Sequence, residues 1–185
     1  MNRSKVCVVI AFLFFLSVQG QAQITFLGVS ADYGTRIKEP GMSALLLYTV
    51  NDQIDIGPSF TCYLLHREDI PNGDRKTQWI SVNLDGHYNM LQFGSFEGYG
   101  LMGLNFTNIT TETFETISGT DFENRTNETK AGLNVGFGGC IHLTGFFNPF
   151  AQVKYALGND IYQVGFRFGV IFRIAADAER DMEDY

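Results

Sequence analysis

Residues 162–174 read YQVGFRFGVIFRI, and every second residue of this segment is apolar, from Tyr162 to Ile174. The intervening residues are polar or glycine, except Ile171. Successive side chains of a β-strand point to opposite faces, so this alternation predicts a strand with one apolar and one polar face. A tilted strand needs about 9–11 residues to cross a bilayer, and this segment has 13. The segment is therefore typical of a membrane β-barrel.

Seven earlier segments show the same kind of pattern, although Leu101 is out of phase in its segment and residues 42–50 lack a clear polar face. These predicted strands cover residues 24–34, 42–50, 54–65, 79–88, 96–107, 130–143 and 150–157. Together with the last strand they predict an all-β fold, an eight-stranded antiparallel up-and-down transmembrane β-barrel. Pro58 cannot donate to a strand ladder, and its neighbour Gly57 suggests a bulge or kink there, with a break in the sheet as the alternative.

The connections between these strands alternate in length. Short or modest links at 51–53, 89–95 and 144–149 alternate with longer polar loops at 35–41, 67–78 and 108–129, and only the link at 158–160 departs from the alternation. Outer-membrane barrels have short periplasmic turns and longer outer loops. We therefore expect periplasmic termini and extracellular long loops. Loop 67–76 is expected to be solvated, and loop 108–129 to be either a flexible loop or a surface recognition site.

The ends of the chain differ from the strand region in composition. Arg3 and Lys5 precede an apolar run over 6–18 and the small-residue site Gly20-Gln21-Ala22, which predicts a signal peptide over 1–22. The run is too short for a spanning helix, which needs about 18–20 apolar residues. We expect the barrel to occupy 23–174, followed by an acidic periplasmic tail over 175–185. Without the signal, 11 basic residues remain against 20 acidic ones, with no basic block, so nucleic acid is not an expected partner.

Alternation alone leaves open which face points into the barrel. The polar face is rich in glycine, serine, asparagine and threonine but poor in lysine, whereas strands that face water usually carry lysine. Aromatic residues of the apolar face lie near predicted strand ends, where a membrane-interface girdle is expected. These features favour an outward apolar face. The alternative is a secreted soluble barrel with the apolar face inside, which would bind a lipid or an apolar small molecule.

The polar face carries charges of both signs. An eight-stranded barrel is just wide enough for side chains to fill it, so buried charges inside must be paired. We expect a structural charge network that fills the lumen, with a narrow ion path or an acid–base site as the alternatives. Its expected members are Asp32, Asp55, Asp85, Glu97, Lys154, Arg167 and Arg173, accompanied on the same face by His87 and His142.

The cysteines and histidines indicate no further chemistry. Cys62 and Cys140 fall on opposite faces of the predicted sheet and are expected to be free thiols. The histidines are widely spaced and the acidic residues lack calcium-loop spacing, so we expect no metal and no cofactor.

The segments FEGYGLMGLNFT (96–107) and KAGLNVGFGGCIHL (130–143), the last strand, and the leader ending in GQAQ carry a resemblance to a known family. The chain resembles the small eight-stranded outer-membrane β-barrels of Gram-negative bacteria, particularly the kind common in Bacteroidota. Such families carry a final-strand assembly signal, which residues 163–170 and 167–174 match. The tail AADAERDMEDY departs from the many members that stop at the final aromatic residue.

The resemblance implies a monomer in the bacterial outer membrane, surrounded by lipid and lipopolysaccharide, that meets the barrel assembly machinery through 163–174. Some small outer-membrane barrels modify lipid A with histidine and serine side chains near the outer rim. Here Tyr88-Asn89 follow His87 and Leu143-Thr144 follow His142, so no His-x-Ser signature is present. We therefore expect a non-enzymatic protein with a structural or surface-interaction role and no catalytic residue; a lipid A-modifying enzyme is the lesser alternative.

Overall fold

The computed structural model describes residues 23–71, 73–117, 120–143, 147–158 and 161–174. The predicted signal peptide and acidic tail lie outside these residues. No helix in the described ranges is long and apolar enough to cross a membrane. The described strands are β1 (Gln23–Gly34), β2 (Glu39–Asn51), β3 (Ile54–Tyr63), β4 (His66–Ile70), β5 (Gly73–Phe93), β6 (Phe96–Ile117), β7 (Thr120–Ile141), β8 (Phe147–Gly158) and β9 (Ile161–Arg173).

All the strands belong to one antiparallel sheet that closes on itself. The order is β3-β2-β1-β9-β8-β7-β6-β5-β4, and β3 also pairs with β5. Eight strands therefore form a ring, and the short β4 lies outside it, paired only with β5. Apart from the short β4, strands that are neighbours in the ring follow one another along the chain. The first and last strands, β1 and β9, close the ring through pairs from Gly34–Gly165 to Phe26–Arg173. The predicted eight-stranded antiparallel barrel is confirmed.

The apolar face points outward. On β9 the exposed fractions are 59% for Tyr162 and 62% for Phe168, whereas Gln163 and Arg167 are buried at 7% and 3%. From residue 162 to 174 the apolar row spans about 40 Å along the strand, or roughly 28 Å along the membrane normal at a tilt of about 45°. That height matches the apolar band of about 25 Å on outer-membrane barrels. The soluble alternative, which needs the apolar face inside, is wrong.

Two segments expected to be loops form strands instead. Residues 67–78 contain β4 and the first part of β5, and residues 108–129 contain the far ends of β6 and β7. The β6–β7 ladder continues without a register shift from Phe96–Ile141 to Ile117–Thr120. These segments are polar on both faces, so they lack the alternation that reveals a strand in the sequence. Their threonines favour extended backbone, and pairing with neighbouring strands provides the hydrogen bonds.

The added strand segments form a second part of the molecule. We call residues 66–70, 73–78, 108–117 and 120–129 the protruding sheet, because they extend beyond the last β3–β5 pair, Cys62–Ile80, and the last β7–β8 pair, Gly132–Gly158. Ten residues of extended chain correspond to about 33 Å. We call the end of the barrel that carries the protruding sheet the sheet end. The opposite end, which carries Gln23 and Arg173, is the terminal end.

Pro58 introduces no register shift into the barrel, although the β2–β3 ladder has no pair at Gly57 or Pro58. The pairs Leu45–Ser59 and Tyr48–Ile56 keep one register on both sides of it, and on its other side Pro58 pairs with Leu84. The register shift between β2 and β3 lies instead at Thr49/Asn51. The expected bulge at Pro58 is therefore wrong.

Candidate functional sites: the lumen and the protruding sheet

Apolar residues occupy both ends of the barrel lumen. A cluster at the terminal end includes Ile171, the one apolar residue on the polar face of β9. The same cluster contains Leu45 and Leu47, so β2 has apolar residues on its inward face and lacks a polar face in the sequence. Leu101, out of phase in the sequence, also points inward and is 4% exposed. At the sheet end, Ile37 of the β1–β2 connection packs with Tyr63 and Trp79, with Ile109 against them. The terminal-end cluster consists of Phe26, Leu45, Leu47, Cys140, Phe150 and Ile171.

Between these clusters lies a buried arginine, Arg167, that donates three hydrogen bonds. Arg167 Nε donates to Asp32 Oδ1 at 2.8 Å, and Nη2 donates to Ser43 Oγ at 3.2 Å and Thr61 Oγ1 at 3.1 Å. Asp32 Oδ2 accepts from Ser30 at 3.0 Å and from Ser43 at 2.5 Å. Strand register places the charges opposite each other, since Asp32 pairs with Arg167. This cluster ties β9, β1, β2 and β3 together.

A second buried cluster crosses the other half of the ring. Lys154 Nζ lies 3.7 Å from Asp85 Oδ2, and Asp85 Oδ1 accepts from Asn134 Nδ2 at 2.8 Å. Asn83 Oδ1 accepts from Asn134 at 2.9 Å and from Asn105 at 2.6 Å. Three asparagines thus connect β5, β6 and β7. The alternation in sequence predicts that these asparagines lie on the polar face but not that they contact one another; their recurrence at inward positions was the available signal.

The remaining predicted lumen residues have other partners. Glu97 Oε2 lies 3.1 Å from His142 Nε2. Asp55 accepts from Thr49 Oγ1 at 2.7 Å and from Asn89 Nδ2 at 3.4 Å. The Glu97–His142 pair and the Asp55 cluster are therefore separate from the Arg167 and Lys154 clusters. Both lie toward the terminal end of the lumen.

Two further residues of the polar face, His87 and Arg173, also lie toward the terminal end. The ring of His87 stacks on Tyr99 with centroids 4.5 Å apart. Arg173 differs from the expectation, because it is exposed at the rim of the terminal end, with its guanidinium 5.9 Å from the centroid of the Phe26 ring.

Inward glycines provide the room for the large lumen side chains. A Cβ atom on Gly138 would lie 2.6 Å from Tyr99 Oη, and one on Gly28 would lie 2.7 Å from Leu45 Cγ. Both distances are shorter than real Cβ contacts. The glycines that make up much of the polar face are thus the counterparts of bulky residues on the neighbouring strands.

The lumen contains small cavities and little that suggests chemistry. One cavity near Lys154 has a volume of about 10 Å³, and one near the terminal end has about 30 Å³. Among the described residues, no three histidine, cysteine, aspartate or glutamate side chains cluster so as to hold a metal ion. Cys62 and Cys140 are free, as predicted.

The protruding sheet carries charged pairs on the side continuous with the apolar belt. Lys76 Nζ lies 3.3 Å from Asp74 Oδ2 and 4.4 Å from the centroid of the Phe114 ring, and Arg125 Nε lies 3.5 Å from Glu112 Oε1. Such exposed pairs contribute little to stability, about 0–1 kcal/mol each. In sequence, the sheet's segments contain eight acidic residues against four basic ones. Its net charge is negative.

One edge of the protruding sheet has no neighbouring strand in the described structure. β7 pairs with β6 along its full length, but its pairing with β8 begins only at Gly132. Residues 122–129 are exposed throughout. The backbone donors and acceptors on this side of β7 are therefore available to another strand.

No protein-family profile and no curated protein sequence matches the chain. Solved structures do. A major outer membrane protein from Thermus thermophilus is 11% identical, with a TM-score of 0.61 over 80% of this chain and 97% of that one.

Two further matches come from other bacteria. Ail, the attachment invasion locus protein of Yersinia pestis, in complex with the heparin analogue sucrose octasulfate, is 16% identical, with a TM-score of 0.56 over 83% and 99%. The N-terminal β-barrel domain of Pseudomonas aeruginosa OprF is 21% identical, with a TM-score of 0.53 over 83% and 99%. At these identities the likeness concerns the fold alone. That fold is the outer-membrane β-barrel.

Proposed function

We propose that this chain is a non-enzymatic bacterial outer-membrane protein whose barrel carries the protruding sheet at the cell surface, where the sheet contacts other proteins. In this arrangement the termini and short turns are periplasmic. Outer-membrane lipid and lipopolysaccharide surround the apolar belt. The barrel assembly machinery recognises 163–174, in keeping with the family resemblance. The ring leaves no open edge within the membrane, which supports a monomer.

The lumen in this proposal is closed rather than an open pore. The apolar clusters at its two ends and the buried Arg167 and Lys154 clusters between them support this assignment. Each buried cluster joins side chains from four strands, and its ion pair stabilises one arrangement of the ring, because separating the pair would leave a charge unpaired. The lumen is then a structural core, and the interaction site lies elsewhere.

The free edge of β7 is the observation that carries the surface-interaction role. An extended segment of another protein can add a strand to such an edge, with main-chain hydrogen bonds providing the affinity. The acidic excess of the sheet favours a segment with basic side chains. The same acidic excess would repel a polyanion, so a ligand like the heparin analogue in the Ail complex is not proposed for this chain.

Labelling of intact cells tests the orientation. In a background where Cys62 and Cys140 are replaced by serine, Asn124→Cys on the protruding sheet should react with a membrane-impermeant maleimide. Asp52→Cys, in the turn at the terminal end, is the matched control and should react only after the outer membrane is permeabilised. The reverse pattern would show that the sheet faces the periplasm.

Peptide binding to cells tests the interaction separately. A fluorescent strand-forming peptide of alternating lysine and valine should bind cells that express the intact protein. It should not bind cells whose protein has residues 110–127 replaced by a short turn. The control is the same peptide interrupted by proline, which cannot form a full strand ladder. Equal binding of both peptides would contradict strand addition and leave only charge attraction.

A further inference from the structure

The small cavity in the polar middle of the lumen is lined mainly by polar side chains. It has a volume of about 10 Å³ and lies between the second buried cluster and the sheet-end cluster. Lys154 of β8 and Gln163 of β9 both line it. Register makes these two residues diagonal neighbours on the inward face, because Lys154 pairs with Gly165 and Ala156 pairs with Gln163. Long side chains at such positions can reach a common point.

Each of these side chains has one group that lacks a partner. Among the described residues, Lys154 Nζ has no hydrogen-bond partner, since Asp85 Oδ2 at 3.7 Å is beyond hydrogen-bond distance. Gln163 Nε2 donates to Tyr63 OH at 3.0 Å, but no described group donates to its Oε1. Lys154 and Gln163 are 8% and 7% exposed. A buried donor and a buried acceptor without partners thus line the same cavity, and leaving such groups unpaired is costly.

We propose that this cavity is a binding site for one ordered water molecule, which accepts a hydrogen bond from Lys154 Nζ and donates one to Gln163 Oε1. The volume is close to the roughly 10–15 Å³ that a single water needs. Water is also the ligand that can serve a donor and an acceptor together. A halide would satisfy only the ammonium group and would face the lone pairs of the Gln163 carbonyl. The negative charge of Asp85 already balances Lys154, so a second anion is disfavoured.

A crystal structure of the barrel, grown in chloride and again in bromide, tests this assignment directly. We expect density for one water within hydrogen-bond distance of both Lys154 Nζ and Gln163 Oε1, with no anomalous signal in bromide. An anomalous bromide peak at Lys154 would overturn the proposal in favour of an anion site. It would also be overturned if the site held no density and Lys154 contacted Asp85 directly.

Two glutamine variants test the bridging role. Gln163→Leu removes the acceptor, so the water should be lost or reduced to partial occupancy. Gln152→Leu is the matched control: Gln152 is also buried and also lies on the inward face, but it does not line this cavity. In that variant the water should keep full occupancy. A water that stays fully occupied in Gln163→Leu would refute the bridge, and the heat-dependent gel mobility of each variant would establish that the barrel has folded.

Discussion

Replacing Arg167 with methionine should destabilise the barrel far more than the same change at the exposed Arg173. The change removes three hydrogen bonds from a guanidinium that is 3% exposed, and it leaves Asp32 buried without a counter-charge. Removing one partner of a buried ion pair typically costs about 3–5 kcal/mol. Asp32 keeps the hydroxyl donors of Ser30 and Ser43, so the lower end, about 3 kcal/mol, is expected.

The assay is reversible urea unfolding of the mature barrel in lipid vesicles. Trp79 is the only tryptophan in the chain and is 6% exposed, so its fluorescence reports unfolding without added labels. Arg173→Met is the control, because Arg173 is exposed at the rim; a change within about 0.5 kcal/mol is expected there. The double variant with Asp32→Asn should show a coupling energy of about 2 kcal/mol. The reasoning is refuted if Arg167→Met costs no more than Arg173→Met, or if the two changes at positions 32 and 167 are additive.

Three further outcomes follow from the packing of the lumen and the sheet. Gly138→Ala should lower the free energy of unfolding by about 1–3 kcal/mol by overpacking against Tyr99. In the same urea assay Gly86→Ala should lower it less, because a Cβ at Gly86 would meet nothing closer than 3.6 Å. Replacing residues 110–127 with a short turn should leave the heat-dependent gel mobility unchanged, because the ring pairs lie elsewhere; a loss of the shift would show that the protruding sheet is needed for barrel folding. In planar bilayers the intact barrel should give no large steady conductance, while Phe150→Ala should raise channel activity by opening the terminal-end cluster; a large steady conductance from the intact barrel would contradict a closed lumen.

Sequence patterns could predict the strands that cross the apolar belt, because their alternation reflects the pleat of each strand alone. They could not predict the protruding sheet. Residues 108–129 mix threonine, asparagine and glutamate on both faces, so no period marks them as strands. Their extended form depends on the continuous β5–β6–β7 ladder, and a ladder is a property of several strands together.

The amino-acid sequence by itself determined the barrel, its strand number and the outward direction of its apolar face. Those properties follow from local alternation and from the chemistry of the two faces. Only the tertiary structure decided which charges meet. Asp32 and Arg167 are 135 residues apart in the chain and become neighbours because β1 joins β9 to close the ring. Closure also turned Leu101 and Ile171 from irregularities of the pattern into inward apolar residues, since a narrow lumen must be filled wherever polar partners are lacking.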